Sequence, residues 1–354
     1  MKKETSLLQN RGYTFNPLWN KLPSLKDNDI NLSIIIPVYI SERFISKCLD
    51  SLVNQVTNYT YELICINDGS TDESLHILEG YALTNPEKLI IYSQENGGIS
   101  KARNKGIELA RGEYVGFVDN DDYVSDNYVE TIMQEAYKYK ADVVQVGNVE
   151  VDLSGHVKKR ISKGNHLLNQ TDDEGRFHYV QGYIWGGCLK KELFTKVIFP
   201  EGFWYEDMIT RNAIMHFANI IRIIDDVLYY KTVHSNNASK VLWRKGNIKS
   251  ADQYWLAKSL SDYVLSDKNV SKNLVYNVLL REWSLLLYIR TFALDTKLRK
   301  EIFLLCASYL ASLKNESIVF YAKDNKIFSK IFSKRSFLRW RFYSFWKLLL
   351  SRFL

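Results

Sequence analysis

The sequence predicts an α/β protein with a Rossmann-like mixed sheet and a helical extension at its C-terminal end. Three observations carry this prediction. Apolar runs rich in β-branched residues alternate with segments of helical spacing over the first two-thirds of the chain. Several of those runs end in acidic or glycine-bearing turns, as the strands of open sheets do at their ligand-binding edge. From about residue 240 onward the strand-like runs stop and the spacing is mostly helical.

Residues 1–30 read as a leader or strap, with Phe15, Pro17, Leu18 and Trp19 as apolar anchors. Leu32 to Tyr39 is a buried first strand, and Pro37 sits near its end, where a missing N–H costs little. Ser41 to Val53 follows with helical spacing at Phe44, Ile45, Cys48, Leu49 and Leu52, Ser41 being the expected N-cap. Tyr61 to Ile66 is a second strand, closed by the turn Asn67 to Asp72. Leu89 to Ser93 is a third, leading into a glycine-bearing loop and helix, Asn96 to Gly106. Tyr114 to Val118 then runs straight into Asp119, Asn120, Asp121 and Asp122. A helix through Lys140 and a strand over Asp142 to Val151 come next. Lys158 to Gly175 is polar enough for a loop or hairpin over the cleft. Tyr179 to Phe194 is aromatic and glycine-rich at its start and helical after it, and Ile221 to Tyr230 is a strand ending near His234.

Composition narrows the class. The chain has 354 residues, 46% of them apolar and 25% charged, as in a folded protein with a full core. Its formal charge is +7, but residues 325–354 hold eight Lys or Arg and no acid, so the rest sums to −1. A near-neutral body with no base-reading module excludes nucleic acid as the expected partner. The four cysteines are widely spaced in apolar sequence and read as reduced core thiols. No opening segment has the apolar length of a signal peptide, and no run reaches that of a membrane span.

The chemistry is concentrated in two acidic features. Asp119, Asp121 and Asp122 would crowd the carboxyl end of one strand and repel unless a positive group joined them. A divalent cation bridging to a diphosphate is the natural candidate, since hard cations take oxygen ligands. Taken alone, an acidic loop or helix N-cap would explain the same residues. Asp68 lies at the same sheet edge, where its carboxylate could accept a base N–H, although Asn67 to Asp72 also suits a capped turn with Gly69 at its tight point. Lys101, Arg103 and Lys105 bring positive charge beside these acids. The second feature, Glu206-Asp207, opens a helical pattern, where an acid is also stabilised by free N–H groups.

In this order, Ser33 to Tyr39, Asn67 to Asp72, Asn96 to Gly106, Asp119 to Asp122 and Glu206-Asp207 resemble the inverting family 2 glycosyltransferases with the GT-A fold, over about residues 31–235. The resemblance implies a nucleotide-sugar donor, with Pro37, Tyr39 and Asp68 receiving uridine and Asp119 beside the ribose, next to Asn120. It implies Mn²⁺ or Mg²⁺ on Asp121, with His234 near the metal and diphosphate and Arg103 around the nucleotide. Asp207 matches the general base, Glu206 is its neighbour, and Trp185 and Gly186 shape the sugar or acceptor pocket. Cys188 departs from the polar residue many relatives carry there, which leaves the sugar open. A sugar-nucleotide pyrophosphorylase would want a basic, glycine-rich loop after the first strand, where this chain has Tyr39-Ile-Ser-Glu42. A catalytically inactive glycan-binding or scaffold protein on the same fold is the alternative from another class.

This divides the chain into a leader (1–30), a catalytic domain (31–239, halved near 130), a helical add-on (240–324) and a basic tail (325–354). In the tail, Lys326, Lys330 and Lys334 recur every four residues beside Ile327, Phe328, Ile331 and Phe332, and Trp and Phe follow. A basic amphipathic helix of this kind reads as a segment lying on an anionic membrane surface. Docking on its own body or on a second subunit is the competing reading. The expectation is a cytoplasmic enzyme, peripheral to the inner face of the membrane, that extends a glycan on a lipid diphosphate. A glycoprotein acceptor stays open, as does a homodimer.

Overall fold

The computed structural model describes residues 30–235, 237, 247–314 and 317–350, so the expected leader lies outside the described residues. A ten-stranded mixed sheet runs through the body in the order β3-β2-β1-β4-β9-β6-β10-β5, with β7 beside β6 and β8 beside β10. β1 (Leu32–Val38), β2 (Tyr61–Asn67), β3 (Leu89–Ser93) and β4 (Tyr114–Phe117) are parallel. Every residue of β1 is buried, which a strand covered by helices on both faces requires. The covering helices include α1 (Ile45–Val53), α2 (Ser74–Thr84) and α3 (Ile99–Leu109), and α4 (Tyr128–Tyr139) follows β4. The second half pairs β6 (Val143–Val151) with the parallel β10 (Ile221–Thr232), while β9 (Gly187–Lys190) joins β4 to β6 antiparallel to both.

Several local expectations need correction. Ser41 does not cap α1 through its hydroxyl, which donates to the Tyr39 carbonyl at 3.1 Å; its own carbonyl accepts from Phe44 and Ile45 N–H at 2.9 and 3.0 Å. The residues after Asp122 first form a short strand, β5 (Tyr123–Val124), because β10 supplies an edge for them. The stretch expected to turn helical after the aromatic segment is instead β9, followed by a 3₁₀ turn at Lys191–Thr195. Tertiary pairing with β4 and β6 overrides local spacing there. Within the polar segment 158–175, β7 (Val157–Ile161) and β8 (His166–Leu168) are paired strands and α5 (Asp173–Tyr179) is a helix. All four cysteines are buried free thiols, as expected.

Among the described residues the C-terminal part is built of helices. α6 (Asp252–Val264) and α7 (Lys272–Arg281) lead through a π-helical turn at Glu282–Leu286 into α8 (Leu287–Arg290), and α9 (Thr296–Leu313) follows. α10 (Lys323–Ser333) and α11 (Phe337–Leu350) pack back on them. Trp340 is fully buried, and its indole N–H donates to the Trp283 and Ser284 carbonyls at 3.2 and 3.3 Å. These helices share one apolar core with the inner face of the sheet, through residues such as Ile209, Ala213, Tyr254 and Trp283.

Candidate active site

A cleft of about 1440 Å³ opens at the carboxyl edge of β1, β2 and β4 and extends to the helices beyond β10. Pro37, Tyr39, Asp68, Arg103, Asp119, Asn120, Asp121, Trp185, Glu206, Asp207 and His234 all line it. Eleven of the twelve residues selected from the sequence therefore meet at one place. The twelfth, Gly186, lies behind Trp185, and its carbonyl accepts the Val146 N–H at 3.0 Å.

The walls are stitched by the turns that follow the strands. Asp68 is buried at the end of β2, and its carboxylate accepts from Gly97 N–H at 2.9 Å, Gly98 N–H at 2.8 Å and Gln94 Nε2 at 2.7 Å. An ionised carboxylate has about four acceptor sites, so one remains for a ligand N–H. Gly69 lies at φ +73°, and a Cβ there would stand 2.8 Å from the Asn96 nitrogen, so the two loops close only over glycine. Asn120 is held by donating to the Pro37 carbonyl at 2.7 Å.

The acids following β4 have separate fates. Asp122 turns inward, accepting from Tyr229 Oη and Thr232 N–H at 2.8 Å each, and so ties the motif to β10. Burial first, then Asp121 and Asp119, holds its pKa well above the ordinary carboxylate value. Asp121 faces the cleft, where His234 Nε2 lies 2.9 Å and Asn237 Nδ2 3.1 Å from its Oδ2. His234 in turn stacks on Phe44, with ring centroids 4.6 Å apart. Burial, and next the Asp119 charge, raise the Asp121 pKa against the opposing pull of His234. A cleft-facing carboxylate crowded by other acids and held by an imidazole suits a hard cation. Among the described residues no group of three or more His, Cys, Asp or Glu side chains is arranged to hold a metal unaided. The donor set fits a cation that takes one carboxylate and an imidazole from the protein and its remaining ligands from a diphosphate and water.

Arg103 is the centre of the site. It is 1% exposed, yet Nη1 donates to Glu206 Oε1 at 2.8 Å and Asp207 Oδ1 at 2.9 Å, and Nη2 to Asp119 Oδ1 at 2.9 Å. Burial opposes its charge, but the carboxylates, Asp207 first, outweigh that and raise its pKa. One guanidinium thus links the acid next to the expected ribose position to the pair on the opposite wall. Three carboxylates against one arginine leave an excess of negative charge. The Asp207 pKa is pushed up to about 7, by burial above all, with Glu206 and Asp119 adding to it and Arg103 opposing. A carboxylate tuned toward neutrality, at the cleft wall, has the properties of a general base.

The loop that presents Asp207 is fixed from two sides. Asn104, the residue after Arg103, donates to the Phe199 carbonyl and Glu201 Oε1 and accepts from Phe199 N–H, at 2.9, 3.1 and 2.9 Å. Across the loop, Trp204 N–H donates to Asp252 Oδ2 at 2.7 Å, on the first residue of α6. Tyr205, between Trp204 and Glu206, is held at φ +66°, a left-handed conformation that disfavours a bulky side chain. Its ring lies under the Arg290 guanidinium, 3.9 Å away. Glu282, Leu286, Ile289 and Arg290 complete the far wall. Sequence reasoning missed these four, and Asn237. The Asn236-Asn237 pair beside His234 offered a signal for the last; a helical Arg-bearing stretch 80 residues from the base offered none.

A sheet carrying acids at its carboxyl edge, with a tuned carboxylate facing them across a ligand-sized cleft, has the layout of an α/β ligand-binding enzyme site. Residues 33–197 match the family described as glycosyl transferase family 2, and the chain belongs to that family. It is a glycosyltransferase with a GT-A fold. It is 32% identical over 240 residues to the uncharacterized glycosyltransferase EpsJ of Bacillus subtilis, covering 64% of this chain and 68% of that one. It is 27% identical over 258 residues to the glycosyltransferase GlyG of Streptococcus pneumoniae, covering 68% and 83%. In fold it is similar to the 1–349 portion of S. aureus TarS solved with UDP-GlcNAc, with a TM-score of 0.67 at 20% identity over 80% of this chain and 82% of that one.

Proposed function

We propose that this enzyme transfers a sugar, with inversion, from a UDP-sugar to a hydroxyl of a cell-surface glycan such as a capsular or exopolysaccharide, with Asp207 as the general base. The observation that carries the reading is the Arg103 bridge, which sets Asp207 and Asp119 on two nitrogens of one guanidinium. That spacing suits a donor whose ribose end rests at Asp119 while the sugar reaches the base. Asp207 takes the proton of the attacking hydroxyl, and Glu206 supports it through the shared Arg103. The uridine preference draws support from TarS, whose structure was solved with UDP-GlcNAc, and from the site left on Asp68 for a base N–H. Asp121 and His234 would hold Mn²⁺ or Mg²⁺, whose part is to offset charge on the leaving diphosphate. Relatives named for minor teichoic acid biosynthesis support a surface glycan as product. The acceptor glycan would be carried on lipid diphosphate or on protein.

In this reading residues 31–239 form the catalytic domain and 240–324 complete its acceptor side. The basic tail, 325–354, would rest on the anionic cytoplasmic face of the membrane. Its support is α11, which buries Phe337, Trp340 and Ser344 but leaves Leu338, Phe342, Phe345, Trp346 and Leu350 exposed beside Arg339. Among the described residues no helix is long and apolar enough to cross a membrane.

The test is donor binding by calorimetry and donor hydrolysis over UDP-, GDP- and dTDP-sugars, with Mn²⁺ or with chelator. One UDP-sugar should be hydrolysed, and chelator or Asp121→Ala should silence it. Failure of every donor to bind would leave only the inactive glycan-binding alternative.

A further inference from the structure

Arg290, the last residue of α8, meets the loop of Asp207 on both sides of the acid pair. Its guanidinium lies over the Tyr205 ring, 3.9 Å from the centroid, and its Nη1 donates to Met208 Sδ at 3.9 Å. Tyr205 precedes Glu206 and Met208 follows Asp207, so one side chain brackets both acids. Tyr205 also carries the left-handed turn of the loop, at φ +66°, which a bulky residue adopts only when its surroundings impose it. A planar cation stacked on the ring imposes it from outside the loop. Met208 is buried in the shared apolar core, so the other contact is with a fixed neighbour.

Helices, not the sheet, set where Arg290 stands. The π-helical turn at Glu282–Leu286 winds more widely than an α-helix, and α8 follows it so that Leu286, Ile289 and Arg290 line the cleft. Ser284 departs from helical geometry in that turn, and Trp340 of α11 donates to the carbonyls of Trp283 and Ser284. Glu282 is held as well, accepting from Gln253 Nε2 at 2.7 Å, with Arg211 Nη1 at 3.7 Å. Burial lowers the Arg290 pKa, opposed by Glu282, Tyr205, Asp207 and Glu206, so its charge faces the acid pair. Asp207 thus meets Arg103 from α3 and Arg290 from α8, against Glu206 on its own loop and Asp119 from the end of β4.

We propose that Arg290 is a positioning residue for the transfer, clamping the loop through Tyr205 and Met208 so that Asp207 stands in reach of the attacking hydroxyl. An arginine stays protonated, so its charge on this side also favours the ionised form of Asp207. The proposal rests on the reading of Asp207 as the base and deepens it. Arg103 holds the acid pair from the donor wall and Arg290 braces it from the helical wall. The C-terminal helices then take part in the reaction by placing its base, with Trp340 and the π-helical turn as the footing of Arg290.

The experiment is donor hydrolysis by the full chain across pH, with water standing in for the acceptor hydroxyl, and donor affinity by calorimetry. The donor is the UDP-sugar that the wild type turns over fastest. Arg290→Met keeps much of the length and loses the charge and the plane. Its kcat should fall about ten- to a hundred-fold with donor affinity within about two-fold of wild type, as a small displacement of a base does. The acid limb of its kcat/KM should move to higher pH, because a cation beside the base is gone. Arg290→Lys should return the limb toward wild type and recover only part of kcat, since an ammonium does not stack as a guanidinium does. Tyr205→Leu removes the ring and leaves the charge, so it should lower kcat with the limb in place; with Arg290→Lys it decides the matter if Arg290→Met does not fold. Wild-type kcat in both Arg290→Lys and Tyr205→Leu overturns the proposal. So does a loss in Arg290→Met that is equal in kcat and donor affinity with the limb unmoved, which a general loosening of the fold would give. Asp207→Asn separates the two readings. If it is inactive while Arg290→Met is fully active, this proposal alone fails; full kcat in Asp207→Asn, or no turnover by the wild type, overturns the base reading and this proposal with it.

Discussion

The carboxyl edge of the sheet and the C-terminal helices both build the cleft, but by opposite means. At the sheet edge, charge is concentrated: Asp68, Asp119, Asp121 and Asp122 stand within a few residues of strand ends, each fixed by short hydrogen bonds. The helices instead supply an apolar core and a few polar side chains from distant turns, among them Asp252, Glu282 and Arg290. In the proposed reaction the sheet edge holds the donor, and the helices fix where the loop of Asp207 stands. The strongest test of this division is Arg103, which joins the two walls. Arg103→Met would leave three carboxylates without their shared cation. It should cost about 1–3 kcal/mol of stability, read from denaturant midpoints at unchanged slope, because three crowded, partly buried carboxylates lose their counter-charge. Arg103→Lys should recover only part of this, since an ammonium cannot reproduce the fork. Destabilisation below about 1 kcal/mol would mean that the acids do not depend on the bridge.

The placement of almost all the sheet-edge residues was legible in the sequence, for a physical reason. A strand end fixes the position of the next few residues, so an apolar run followed by acids states both a place and a charge. Asp68 and Asp121 could be selected that way, whereas Asp207 opens a helical pattern and was selected through the family resemblance. Arg103 was selected too, but its pairing with Glu206 and Asp207 could not be foreseen, because it bridges 103 and 104 residues of chain. β9 was misread because its strand character comes from β4 and β6 on either side. The helical wall was legible as helix and silent as site, since Glu282 and Arg290 have the spacing of any solvated helical face.

On the wall facing the sheet edge, the next largest effect belongs to Asp207, the proposed base. Asp207→Asn should lower kcat by about a thousand-fold while donor affinity by calorimetry stays close to wild type. An equal loss in Glu206→Gln would remove the distinction between base and neighbour. The pH dependence follows from the raised pKa. A general base works only when ionised, so the acid limb of kcat/KM should have its midpoint at about 7 rather than in the ordinary carboxylate range. The sign for stability is the reverse of a salt-bridged carboxylate's. With the folded pKa above the unfolded one, the folded state binds the proton more tightly. The contribution is then fully present below the unfolded value, and is lost as pH rises from about 4 to about 7. Wild type should therefore lose stability relative to Asp207→Asn across that window.

The helical side is sharpened by Asp252, which accepts the Trp204 N–H from the base loop. Asp252→Ala leaves every group at the sheet edge in place and frees one anchor of the loop. It should lower kcat by about ten- to a hundred-fold with donor affinity retained, as a small displacement of a base does. Parallel losses in kcat and in donor affinity would show that the helices support the nucleotide end as well, and the division between the two regions would fail.

The smallest effect on the fold should come from the outward side of α11. Trp340 and Phe337 on its inner side fill the helical core, so the helix stays docked whatever happens opposite them. Phe342 is 66% and Leu338 75% exposed, and neither side chain closes a gap in that core. Replacing both with serine should change stability by no more than about 0.5 kcal/mol. If the exposed row lies on lipid, the same pair should abolish flotation with anionic vesicles while donor hydrolysis in solution is unchanged. If the row is a contact between copies, the pair should shift the sedimentation coefficient instead and leave flotation as it was. A fold that tolerates the change and a flotation assay that does not would separate the two sides of this helix: one holds the acceptor wall in place, and the other sets where the enzyme works.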